Sequence, residues 1–197
     1  MDCLVKPDHV DPEVLANLGP LAALAGIWEG DQGLDVSATP AGTEETRFRE
    51  RAVFTPMGPV VNGPQVMYGL RYSTTAWPIG SDDAFHEELG YWLWDPARTL
   101  VMRCFMVPRA VLVSAGATVP ADARTFTMTA ECGDKALGVL SNPFLAEFTN
   151  TERYECVITV HDDGSFSYKE DTVLRIQGRD ELFHHTDENR LTRVSDA

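Results

Sequence analysis

Over much of its length the chain alternates apolar and polar residues with a period of two. Phe166, Tyr168, Thr172, Leu174 and Ile176 share one face, against Ser167, Lys169, Asp171 and Arg175 on the other. Phe126, Met128, Ala130 and Cys132 alternate in the same way with Thr125, Thr127, Thr129 and Glu131, and Tyr154, Cys156, Ile158 and Val160 with Glu155 and Thr159. Each run predicts a strand with one dry face. Turn residues separate the runs at Asp95-Pro96, Gly133-Asp134, Asp163-Gly164 and Gly178, so neighbouring strands are expected to pair antiparallel through short connections.

About ten such runs follow Ala25, with no long helix to cover their apolar faces. A sheet of this kind buries its dry side by closing or by sandwiching. The expected class is all-β, an antiparallel up-and-down barrel, with an Ig-like sandwich as the alternative; the sandwich is disfavoured by the hairpin-length turns and the lack of a Cys…Trp…Cys arrangement. Upstream, Asp11-Pro12-Glu13 reads as a helix start, with Val14, Leu15 and Leu18 at helical spacing before Gly19-Pro20 ends the run. This short helix is placed to plug one barrel mouth. No repeat or linker interrupts the pattern, so one domain is expected over 1–197, with 1–10 a flexible tail.

Composition narrows the function. The chain has 197 residues, 44% of them hydrophobic, enough for a packed core or an internal cavity. With Lys+Arg 16 against Asp+Glu 30, the net charge of -14 repels nucleic-acid phosphates and anionic lipid heads, which excludes nucleic acid and membrane as expected partners. The first residues carry no secretory signal pattern and no segment is long enough to span a bilayer, which makes a cytoplasmic location the expectation. Cys3, Cys104, Cys132 and Cys156 are scattered without a Cys-x-x-Cys pair, and Cys104, Cys132 and Cys156 read as small buried apolar residues.

Candidate chemistry is sparse. No Ser-His-Asp signature, phosphate loop or His-Glu-x-x-His occurs, so neither a catalytic set nor a metal-ligand spacing is expected. His86 sits in an acidic segment, Asp82 to Glu88; His161-Asp162-Asp163-Gly164 reads as a hairpin turn. His184-His185 followed by Asp187 resembles a metal patch, but consecutive strand residues point to opposite faces, so only one of the two imidazoles faces inward. Glu50 shares a face with Phe48, Ala52 and Phe54, and Glu170 lies between Tyr168 and Thr172; each is either an internally paired carboxylate or a polar anchor for a ligand, with Arg71, Arg103 or Arg109 as conceivable partners. Trp28, Trp77, Trp92, Trp94, Tyr91 and Phe105 are either core or the lining of an aromatic pocket.

Gly26-x-Trp28-x-Gly30 on the first strand, the strand count, and the ending Asn189-Arg190-Leu191-Thr192-Arg193 together resemble the nitrobindin family, over about residues 20 to 194. The resemblance implies a ten-stranded barrel that holds ferric heme b, binds nitric oxide and converts peroxynitrite to nitrate. Two departures stand out. Gln32 occupies the place of the motif's last glycine, with Gly33 one step away, and Arg190 stands where the family places its iron-ligating His before Leu. An arginine has no free lone pair for iron. The candidate ligand-binding residues are Gly26, Trp28, Gly30 and Arg190, from the resemblance, and Glu50, His86 and His184, from the pattern of the chain itself. Three readings follow: a monomeric or homodimeric binding protein for a small hydrophobic molecule, with or without a carboxylate facing one of the arginines; a heme-dependent peroxynitrite isomerase using another His; and a ligand-free interaction module.

Overall fold

The computed structural model describes residues 3–196; residues 1 and 2 of the expected tail lie outside them. Eleven strands form a closed barrel: β1 (Gly26–Thr39), β2 (Gly42–Asn62), β3 (Gln65–Pro78), β4 (His86–Asp95), β5 (Leu100–Val107), β6 (Val111–Thr118), β7 (Thr125–Cys132), β8 (Gly138–Leu140), β9 (Thr149–Val160), β10 (Phe166–Ile176) and β11 (Phe183–Ser195). Their order around the barrel is β1-β11-β10-β9-β7-β8-β6-β5-β4-β3-β2. Closure through the antiparallel β1–β11 pair leaves no open sheet edge in that ring.

The departure from an all-hairpin order lies at β8. Gly133-Asp134 does not make a hairpin: the Asp134 carboxylate accepts the Ala136 and Leu137 amides at 2.7 and 3.3 Å, and the chain returns as the short β8, parallel to β7. A six-residue helix, α1 (Pro143–Phe148), follows, with Asn142 accepting the Leu145 amide at 3.0 Å and Pro143 in the first turn.

The N-terminal segment is helical but of the 3-10 kind, in two pieces, Leu15–Asn17 and Gly19–Leu24. Gly19-Pro20 does not end the run. Pro20 stands at the start of the second piece, where its missing N–H costs nothing, and Gly19 adopts φ +56 with its α-carbon against the Trp94 ring. Leu18, Leu21 and Leu24 are fully buried and stop one end of the barrel. Trp28 lies directly inside this plug, donating its indole N–H to the Leu24 carbonyl at 2.8 Å and meeting Phe166 edge-on.

The Gly-x-Trp-x-Gly motif is a closure device. A side chain on Gly30 would come within 2.5 Å of the Arg190 carbonyl on β11, so glycine lets the first and last strands approach. The register shifts between Gly30 and Gly33, a bulge that accounts for the displaced third glycine; Gly33 then lies flat against the Phe48 ring. Of the cysteines read as buried, Cys156 is, whereas Cys104 is half-buried and Cys132 exposed, because each of the latter two falls on the outer side or at the end of its strand.

Candidate functional site

With one end plugged, the hairpins at 39–42, 78–86, 107–111 and 176–183, together with α1, surround the other. Between this mouth and the plug lies a half-open cavity of about 260 Å³. That volume is at the lower edge of the roughly 300–1,000 Å³ usual for small-molecule pockets. Phe48, Phe85, Phe105, Val107, Val111 and Leu145 supply apolar wall. The deeper and lateral surfaces are charged.

Arg103 on β5 is 5% exposed and sits in the barrel interior. It donates to Glu88 at 2.6 Å, to Glu170 and Tyr154 through short contacts, and to the Tyr72 hydroxyl at 3.3 Å; Tyr72 in turn donates to Glu88 at 2.7 Å. The guanidinium also lies 4.5 Å from the centre of the Phe105 ring. Burial alone would push the Glu88 carboxyl up, but the Arg103 charge and the His86 and Tyr72 hydrogen bonds outweigh it and hold the group at about 2. Burial likewise opposes the charge on Arg103, and Glu170 and Glu88 more than offset it. One cation is therefore fixed between two anions, with its donors committed.

A second carboxylate, Glu50, is 7% exposed and accepts from Thr74 at 2.7 Å, Tyr168 at 2.8 Å and Asn189 at 3.1 Å. Burial raises its affinity for a proton above the ordinary carboxyl value, against those three hydrogen bonds. On the adjoining wall, Asp35, Asp187 and Glu170 are successive cross-strand partners on β1, β11 and β10. His185 meets Asp35 at 2.7 Å. Burial and the neighbouring Glu170 push the Asp187 carboxyl well above its usual range. At the mouth, burial pulls the His86 imidazole down, but its 3.1 Å contact with Glu88 and that group's charge prevail and keep it protonated up to about 9.

Of the residues expected from sequence, Glu50, Glu170, His86, Arg103 and Arg109 reach the cavity, and Arg71 does not. Gly26, Trp28 and Gly30 belong to the plug and the closing seam beneath it. His184 lies on the outer face, 2.7 Å from Asp171, and its neighbour His185 is the inward member of the pair. Arg190 also points outward, to Asp163 at 2.6 Å and Ser165 at 3.0 Å, and the inward residue beside it is Asn189. Trp92 and Phe105 line the cavity, Trp94 packs under the plug, Tyr91 is exposed, and Trp77 stacks under Arg49. Asp35 and Tyr72 escaped the sequence reading, and Glu88 appeared there only as part of an acidic segment; extending the alternation back from Trp92 through Gly90 would have placed it inward.

Fold and site define a class: a closed β-barrel, stopped at one end, that encloses a cavity with a polar interior. The profile of the THAP4-like, heme-binding beta-barrel domain matches residues 17–193, and the chain belongs to that family, the nitrobindin type suggested by the Gly26-Trp28-Gly30 motif. The crystal structure of Rv2717c from M. tuberculosis has the same fold, with a TM-score of 0.61 at 17% identity over 94% of this chain and 99% of that one. No curated protein matches the sequence. No helix among the described residues is long and apolar enough to cross a membrane.

Proposed function

We propose that this barrel is a binding protein for a small, largely hydrophobic ligand whose polar end is a cation or hydrogen-bond donor. The observation that carries this reading is the charge imbalance inside an otherwise apolar-walled cavity. Five acidic side chains, Asp35, Glu50, Glu88, Glu170 and Asp187, line it against Arg103, Arg109 and the protonated His86, so acids outnumber these cations. The carboxylate-bearing ligand conceivable from sequence finds Arg103 already engaged with Glu88, Glu170, Tyr72 and Tyr154, which leaves the exposed Arg109 as the cavity-lining arginine to face it. The four free cysteines support a reducing, cytoplasmic setting.

Heme held in the family's manner does not fit these residues. Arg190, at the iron-ligand position of the resemblance, has no lone pair to offer and turns away from the cavity toward Asp163. The inward imidazole of His86 spends Nε2 on the Glu88 carboxylate, which leaves only the nitrogen crowded by the side chain's own stem. A porphyrin would also set its anionic propionates beside an acidic interior.

Two measurements test the reading. In an absorption titration with ferric heme, the protein and its Arg190→His variant are both expected to give no saturable Soret band; a sharp band in the unmodified protein would restore heme binding. In thermal-shift assays, short alkylamines are expected to stabilise the fold, by about 2.7 kcal/mol at a hundredfold excess over Kd. Stabilisation by alkanoates but not by amines would refute the assigned polarity.

A further inference from the structure

We propose that Asp35, His185 and Asp187 form a site for one first-row divalent transition-metal ion on the wall of the cavity near its mouth. The three side chains present ligand atoms that all lie within 4.8 Å of one another. His185 Nε2 and Asp35 Oδ1 are 2.7 Å apart. Two donors held about 2.1 Å from one ion at right angles are separated by about 3 Å, so this pair already has the spacing of adjacent ligands.

The framework is rigid. Asp35 and Asp187 are directly opposed in the β1–β11 ladder, and His185 precedes Asp187 by two residues, hence on the same face of one strand. All three residues line the cavity, whose open space leaves further coordination positions for water or ligand.

The second observation is electrostatic. Like charges facing each other across strands destabilise a sheet, and here three carboxylates, Asp35, Asp187 and Glu170, stand in one cross-strand row. Glu170 is neutralised by Arg103 and Asp35 is paired with His185. The Asp187 carboxylate, between them, makes no hydrogen bond or ion pair with any described residue. His86, which also faces this space, is turned to Glu88. A bound cation supplies the compensation that the row lacks.

The donor set of one imidazole and two carboxylates, without thiolate, suits zinc, cobalt, iron or nickel better than a soft ion or magnesium. Sequence spacing shows only the His185 and Asp187 part of the set, because Asp35 comes from the first strand and the other two from the last. The site is separate from the Arg103 cluster and does not depend on which organic molecule the barrel encloses.

The test is a calorimetric titration of metal-stripped, untagged full-length protein with Zn²⁺, together with Co²⁺ absorption in the visible. One equivalent is expected to bind, with cobalt d–d bands. Asp187→Asn and His185→Gln are each expected to weaken binding at least tenfold, while His184→Gln, one residue away on the outer face, leaves it unchanged. Asp187→Asn breaks no contact within the protein and is expected to fold normally, so it decides the matter even if His185→Gln does not fold. Absence of saturable binding in the unmodified protein, or binding lost in His184→Gln and retained in Asp187→Asn, would overturn the site.

Discussion

Arg103 pairs with two buried acids, and its removal should be far more costly than its replacement together with them. Arg103→Met leaves Glu88 and Glu170 without their cation and is expected to lower stability in urea denaturation by about 3–5 kcal/mol. Adding Glu88→Gln and Glu170→Gln should recover most of that loss. The acids also set opposite pH responses. Glu88, held at about 2, contributes stability that is complete above the ordinary carboxyl value of 4.5 and disappears as pH falls toward 2. Glu50, raised by burial, binds its proton more tightly folded than unfolded, so stability declines as pH rises above 4.5. Glu50→Gln is therefore expected to gain on the unmodified protein between pH 5 and 8 in denaturation curves recorded across that range; a parallel pH dependence would mean that Glu50 is not the group responsible. Glu50 and Glu170 were legible in the sequence because each shares a face with aromatic neighbours. His184 and His185 were not separable there, since the phase of a strand is fixed by its partners and not by its own residues.

At the scale of elements, the strongest alternation became the clearest strands, β7, β9 and β10, and the turns at Asp95-Pro96 and Asp163-Gly164 lie where expected. Two small elements were hidden for different reasons. The six residues of α1 are too few to display a helical period, although Asn142-Pro143 is its cap signal. The three-residue β8 is selected by its parallel partner and by Asp134, which no local pattern reports. On β4, β5, β6 and β8 the outer face carries its own apolar row, Leu89, Met106, Leu112 and Leu140, in register across the strands, which blurs the wet-and-dry contrast that the reading depends on. The plug is held by packing and by hydrogen bonds from Trp28 to the Leu24 carbonyl and from Arg193 to the Ala23 carbonyl. Leu21→Ala is expected to cost about 2–5 kcal/mol and Trp28→Ala about 3–5 kcal/mol, measured by chemical denaturation. A near-neutral Trp28→Ala would mean that the indole borders open space instead of filling the core.

For the whole molecule, the barrel of the THAP4-like family is kept while its interior is furnished with charge. The closing seam of Gly30 against β11 serves the barrel whatever the barrel contains, which is why the motif identified the family and said little about the cargo. The interior depends on which residues from distant strands reach one level, a property of register that a single sequence carries only implicitly. The plug formed by Leu18, Leu21 and Leu24 has one more consequence. A vessel with a single door fills and empties in sequence: the guest proposed above, seated beside Glu88, would have to pass the ion proposed at Asp35, His185 and Asp187 and its coordinated waters nearer the threshold. Release of that guest should therefore be slower with zinc present than after chelation, in stopped-flow displacement, even where the two occupants never touch.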